Sequence, residues 1–284
     1  MLTECIKAII YGIVEGITEW LPVSSTGHLI LLGDTLTLDA VNDLGEQYAS
    51  MFEVVIQLAA VLAVLFSYKS CLLPRKENKK EVLTLWKKLT LATLPAAVIG
   101  LLADMLCERL FGSDLDTLLF TPQTVAAALI VYGILFIIVE KLTKSKSLDA
   151  ELGYRSALAI GFFQALAIIP GTSRSGATVI GARCFGTSRR AAAEFSFFMA
   201  LPTMLGASVI KAIGFFGYLS ESGTGFPAVS ALILIASFVT AFAVSLATIR
   251  FLISFAAEKG FAPFGVYRII LGIAVMLYSA FVKK

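Results

Sequence analysis

Charge is scarce in this chain. Asp, Glu, Lys and Arg make up 15% of its 284 residues, 58% are hydrophobic, and the mean hydropathy is +0.87. Soluble domains carry about 25% charged residues, so that class is excluded. Histidine is rarer still, with His28 the only one. That rules out mechanisms needing two histidines, a nucleophile and an acid, as in the type-2 phosphatidic-acid phosphatases. No GxxxxGK segment occurs, which argues against nucleotide-driven chemistry. Cys5, Cys71, Cys107 and Cys184 form no CxxC or Cys/His pattern and read as packing residues. A net charge of +3 gives no reason to expect nucleic acid as a partner.

What the chain has in quantity is long apolar runs. Spans are expected at 52–68, 89–106, 122–139, 193–213, 228–249 and 264–282, each able to cross a hydrocarbon core of about 30 Å. The fold class is therefore an all-α polytopic membrane protein. Charge alternates between the spans. Residues 33–51 carry Asp34, Asp39, Asp43 and Glu46 and no base, whereas 69–88 carry seven bases against Glu77 and Glu81. The positive-inside rule puts 69–88 in the cytoplasm and 33–51 outside. Alternation then places 107–121 and 214–227 outside, and the loops at 141–155 and 258–259 inside. Lys283 and Lys284 run against this order. The first apolar run holds acids and lacks a basic leader, so no cleavable signal peptide is expected.

Two segments, 1–32 and 156–190, are too long for one span and are broken by Pro, Gly and polar residues. Loop bookkeeping stays consistent when each enters and leaves on one side, as a re-entrant helix–loop–helix. Such backbone is tolerated at membrane depth where it is buried in protein or lines a wet cavity. Each is followed by three spans, so the halves have opposite orientation. Glu15–Gly27 and Gln164–Gly176 are both 13-residue stretches ending in hydroxyl-rich turns, each with a proline just before the hydroxyls. Glu53 has a counterpart in Glu194. One membrane domain built of inverted repeats, 1–142 and 155–284, is expected, with a site where the halves meet.

The polar islands carry the chemistry, because ionisable groups in apolar segments are expensive and mark function. Glu15 and Glu19 share one helix face at i, i+4 spacing. Two such carboxylates in low dielectric need a divalent ion, a shared proton, or a cation such as Arg174; outward-facing acids near the surface are the plainer reading. Ser24, Ser25, Thr26 and Gly27 precede an apolar run, where hydroxyls commonly cap helices. Three in a row, followed by His28, exceed what a cap needs, and helix N-termini favour phosphate. Gly171-Thr172-Ser173-Arg174-Ser175-Gly176 repeats the device and adds a guanidinium matched to phosphate oxygens. An arginine orienting a helix at the interface is the alternative. His28 suits general acid/base or nucleophilic work. Glu53, Gln57, Glu194 and Arg268 read as supporting groups, interhelical hydrogen bonds or interface anchors.

The segments Glu15-Gly-Ile-Thr-Glu19-Trp-Leu-Pro-Val-Ser-Ser-Thr-Gly-His28, Phe52-Glu-Val-Val-Ile-Gln57, Pro170-Gly-Thr-Ser-Arg-Ser-Gly-Ala-Thr178 and Glu194-Phe-Ser-Phe resemble the signatures of the undecaprenyl-diphosphate phosphatase family of the bacitracin-resistance type. The resemblance runs over essentially the whole chain. It implies a bacterial inner-membrane hydrolase that removes the terminal phosphate of a C55 isoprenyl diphosphate and so recycles the lipid carrier of peptidoglycan synthesis. It also implies an outward-facing site, a divalent cation (Mg²⁺ or Ca²⁺) and a homodimer. By position, the family's functional residues fall on Glu15, Glu19, Ser25, Thr26, His28, Ser173, Arg174 and Thr178. The expected roles are catalysis for Ser25, His28, Glu19 and Arg174, and metal binding for Glu15 and Glu19. Ser24, Thr26, Gly27, Thr172, Ser173, Ser175, Gly176 and Thr178 would hold the diphosphate. Ser25, His28 or water would be the nucleophile. A flippase of polyprenyl phosphates is the rival, since transport needs binding alone.

Overall fold

The computed structural model describes residues 2–113, 115–143, 152–222 and 227–281. These form helices α1 (Leu2–Thr18), α2 (Ser25–Thr35), α3 (Asp39–Ser67), α4 (Lys69–Leu72), α5 (Lys79–Phe111), α6 (Leu115–Leu119), α7 (Pro122–Thr143), α8 (Tyr154–Ala165), α9 (Arg174–Cys184), α10 (Arg189–Ser222), α11 (Ala228–Lys259) and α12 (Ala262–Phe281). A 3₁₀ turn, Leu166–Ile168, follows α8, and no strand occurs among the described residues. Among the described residues, six helices are long and apolar enough to cross a membrane, one for each expected span. The chain is a multi-pass membrane protein.

The helices outrun the spans. α5 has 33 residues and starts well inside the basic segment; α10 has 34. Hydropathy marks the hydrocarbon-crossing stretch, whereas backbone hydrogen bonding continues through polar flanks at 1.5 Å per residue. The expected acidic loop is mostly helix too: α3 begins at Asp39 and breaks at Gly45 (φ 74°, ψ −166°). The acidic side chains of that loop, and residues 144–151 and 282–284, lie outside what is described.

Each interrupted segment folds as a hairpin of two helices in contact, α1 with α2 and α8 with α9. Lys7 Nζ donates to Thr37 O at 2.7 Å and Tyr11 Oη to Leu36 O at 3.1 Å, closing α1 onto the end of α2. Lys88 lies over the Tyr154 ring at the start of α8, and Arg183 at the end of α9 donates to Thr143 Oγ1 at 2.8 Å. Neither hairpin packs chiefly on its own neighbours. α1 lies on α11, α8 on α5, α3 on α10 and α11, and α7 on α12. Where α7 meets α12, a Cβ on Gly133 would sit 2.7 Å from Gly265 O, so the two backbones touch. Close approach through small residues is how helices associate where lipid removes the hydrophobic drive.

Candidate active site

The breaks in the two hairpins share an unusual backbone. Ser24 (φ 74°) precedes α2 and Ser173 (φ 68°) precedes α9, and among the described residues no other non-glycine has positive φ. Such a conformation costs an L-residue about 1–2 kcal/mol and collects where function requires it. Ser173 Oγ accepts from Gly176 N at 3.2 Å; Ser24 forms no such cap, and its buried Oγ has no partner. Ser24 thus stands to Ser173 as Ser25 does to Arg174, the register of the two 13-residue stretches.

Between the breaks lies a cavity of about 190 Å³, lined from one hairpin by Glu19, Ser24, Ser25 and Thr26 and from the other by Gly171, Ser173, Arg174 and Ser175. Gln57 of α3 completes its polar wall. Glu19 is the hub. Its Oε2 accepts from Ser25 Oγ at 3.0 Å, and its Oε1 accepts from Arg174 Nη2 at 3.0 Å. Both members of that ion pair are nearly buried, with side chains 9% and 12% exposed. Arg174 Nη1 donates to Ser196 O at 2.9 Å, and its guanidinium lies over the Trp20 ring at 5.9 Å. Ser175 Oγ donates to Glu19 O at 3.2 Å, sewing the hairpins together.

Other expected site residues stand behind this wall. Thr178 Oγ1 donates to Ser196 Oγ at 2.6 Å, beneath Arg174. Gly27 faces Leu129 of α7, and Thr172 is fully buried, its carbonyl turned to Arg268. Gly176 also backs onto Arg268. His28 does not line the cavity. Its Nδ1 lies 2.8 Å from Ser24 O and its Nε2 2.7 Å from Tyr267 Oη. A carbonyl only accepts, so the Nδ1–H donates and the neutral ring's Nε2 accepts from the tyrosine. Glu15 is wholly buried, and neither carboxylate oxygen has a hydrogen-bond partner. Glu53 is half exposed, 3.8 Å from Lys211, beside a separate small pocket with Tyr11. Glu194 is not brought to the cavity; it pairs with Arg190 at 2.9 Å and lines a wider cleft of about 500 Å³ with Lys80, Glu81 and Lys88.

Three residues at the site escape sequence reasoning. Ser196 offers a backbone carbonyl, which any residue could, and Met204 lines the cavity. Trp20, adjoining Glu19 at the hairpin break, is the one whose aromatic face could have been foreseen as a seat for a cation. Arg268, read from the sequence as a supporting group, an interhelical hydrogen bond or an interface anchor, is fully buried and bonds three carbonyls of the two loops.

A hydroxyl, a carboxylate and a guanidinium joined in a small polar cavity at two helix N-termini form an arrangement suited to an anion, with a hydrogen bond along which Ser25 can pass a proton to Glu19. The model of the bacitracin resistance protein BacA family matches residues 8–274, which include every element of this cavity. The chain belongs to the BacA family. Among BacA relatives, the undecaprenyl-diphosphatase of Acetivibrio thermocellus is 47% identical over 99% of this chain and 100% of its own length. Undecaprenyl-diphosphatase 1 of Clostridioides difficile is 47% identical, covering 98% of this chain and 97% of its own length. The undecaprenyl-diphosphatase of Enterococcus faecalis is 45% identical over 98% of both. Likeness over full length makes this BacA chain comparable to whole proteins rather than to a shared module.

Proposed function

We propose that this chain hydrolyses undecaprenyl diphosphate to undecaprenyl phosphate and phosphate in a bacterial plasma membrane, returning the carrier to peptidoglycan synthesis. The observation that carries the reading is the bond from Ser25 Oγ to Glu19 Oε2, a nucleophile already paired with its base. The names of the relatives support the substrate. A flippase would need the cavity and Arg174 but has no use for that pair.

In this mechanism the terminal phosphate enters between Arg174 and the free N–H groups that open α2 and α9. Glu19 takes the proton as Ser25 Oγ attacks phosphorus and the bond to the bridging oxygen breaks, and gives it up to the departing undecaprenyl phosphate. Water then attacks the phosphoserine, passing its proton to Glu19, which returns it to Ser25 Oγ as phosphate leaves. Charge on the transferred group is met by Arg174 and the helix termini, the main task in phosphoryl transfer. His28, engaged at both nitrogens, holds the strained Ser24 peptide rather than Ser25. The unpartnered carboxylate of Glu15 suits a hard divalent cation, Mg²⁺ or Ca²⁺. Glu15 and Glu19 would hold it, and it would neutralise diphosphate oxygens. Among the described residues no third acidic, His or Cys side chain joins them, so water and substrate phosphate would supply the remaining ligands.

The same reading makes α1–α2 and α8–α9 re-entrant hairpins and 1–142 and 155–284 inverted repeats. The matched left-handed serines and the reciprocal packing of α1 on α11 and α8 on α5 support it. With the basic 69–88 segment in the cytoplasm, α1–α2 enters from outside and the site faces outward. A homodimer belongs to this reading as well, tested by crosslinking in native membranes.

The deciding experiment is phosphate release from C55 diphosphate by detergent-purified protein, with and without EDTA, beside Arg174→Ala. Metal-dependent release that disappears in the variant is expected. Folded protein that binds the lipid and releases nothing would overturn the hydrolase and favour the flippase. A phosphoserine trapped at Ser25 establishes the covalent route; full turnover by Ser25→Ala would replace it with direct attack by water.

A further inference from the structure

We infer that Arg268 of α12 is a positioning residue that sets the two hairpin loops against each other, and with them the distance between Ser25 and Arg174. The inference rests on the phosphatase reading for its kinetic arm and on geometry alone for the rest.

Arg268 has no exposed surface. Its Nη1 donates to Pro22 O at 3.3 Å, and its Nη2 donates to Gly171 O and Thr172 O, both at 2.8 Å. Pro22 lies just ahead of Ser24, and Thr172 just ahead of Ser173. One planar group therefore grips each loop immediately before its strained serine. The guanidinium lies near two rings of α7, 5.8 Å from the centroid of Tyr132 and 6.0 Å from that of Phe136. It also touches α9, where a Cβ on Gly176 would be 3.2 Å from Nη1.

The chemistry demands arginine. Three acceptors on two loops need a rigid, forked donor, and an ammonium on a flexible stem cannot span them with one geometry. Burying a charge without a carboxylate partner costs several kcal/mol, and no acid is among the groups acting on Arg268. Arg183 makes a contrast: it is also buried and bonds Thr187 O and Thr143 Oγ1, but Glu140 lies near it, at the end remote from the cavity. A merely structural tie could be neutral. Arg268 instead adds a fixed positive charge beneath the site where a diphosphate would sit, while its fork fixes the loop spacing.

The test compares Arg268→Gln and Arg268→Lys with Arg183→Gln in detergent-purified protein. Three quantities are read: kcat and KM for phosphate release from C55 diphosphate, melting temperature, and hydrogen exchange of segments 19–24 and 169–173. Misplacing reacting groups by about 1 Å costs on the order of 100-fold in rate. Arg268→Gln is expected to lower kcat about 100-fold, with KM moving less than about tenfold, and to speed exchange in both loops together. Arg268→Lys should recover part of the rate. Arg183→Gln should lower the melting temperature without touching kcat or either loop. The inference is overturned if Arg268→Gln keeps kcat within about threefold of wild type, if only one loop loosens, or if Arg183→Gln reproduces the kinetic loss. Should Arg268→Gln not fold, Arg268→Lys decides, since wild-type kcat there would refute the fork. Wild type that releases no phosphate would defeat the phosphatase reading instead, and the exchange comparison would then decide the tie by itself.

Discussion

Replacing Ser24 separates what the backbone costs from what the hydroxyl does. Ser24 sits at φ 74°, is 1% exposed, and carries an Oγ without a hydrogen-bond partner. Ser24→Ala keeps the strained conformation and deletes the hydroxyl; Ser24→Gly deletes the hydroxyl and relieves the strain. Left-handed backbone costs an L-residue about 1–2 kcal/mol. The extra chain entropy of glycine returns about 0.5–1 kcal/mol of that. The glycine variant should therefore be at least as stable as the alanine variant, by about 0–1.5 kcal/mol, a gap of up to a few degrees in melting temperature. Activity should not follow stability. A hydrogen bond from Ser24 to a phosphate oxygen is worth about 1.5–3 kcal/mol, so both variants should lose roughly 10- to 100-fold in kcat/KM, and lose it equally. Thermal unfolding in detergent and phosphate release measure the two. Alanine more stable than glycine would refute the strain argument, and wild-type turnover by either variant would refute the hydroxyl's role.

Glu19→Gln keeps the shape of the hub but cannot take the Ser25 proton, so kcat should fall about 10²- to 10⁴-fold; an undiminished rate would remove Glu19 as base. Arg174→Lys retains the charge but loses the fork shared by Glu19 and Ser196, and should cost at least tenfold in kcat/KM, measured by the same assay. Glu15→Gln should raise the Mg²⁺ concentration for half-maximal activity about tenfold or more, and an unchanged Mg²⁺ titration would exclude Glu15 as a ligand. Gly133→Ala forces a methyl against Gly265 O and should cost about 1–3 kcal/mol of stability, seen as a lower melting temperature.

The spans were legible because bilayer thickness imposes a length on apolar runs, and the broken hairpins because Pro22, Pro170 and their hydroxyls interrupt two of them. Glu19, Ser25 and Arg174 were legible as chemistry out of place in lipid. Glu194 misled, because spacing after a hairpin does not fix how far a helix has turned or slid; here Arg190 holds it at another cleft. His28 attracted attention as the sole imidazole, yet side-chain type alone does not say which way the ring points. Arg268 looked like an anchor at a helix end. Its partners are carbonyls of Pro22, Gly171 and Thr172, and backbone oxygens leave no mark on composition.

The crossing of partners has a consequence for synthesis. α1 is made well before the surface it rests on, which belongs to α11 and begins at Ala228. At translation rates of roughly 5–20 residues per second, α1 waits on the order of 10–45 s for that surface. Until residue 174 is made, a hairpin carrying Glu15 and Glu19 lacks the guanidinium of Arg174, and until α11 is made it lacks its main packing face. It must be sheltered by the insertion machinery or by water at the bilayer edge. A chain stalled after residue 143 would leave those two acids stranded in lipid and present quality-control proteases with an orphan, whereas two fragments made together could still clasp each other.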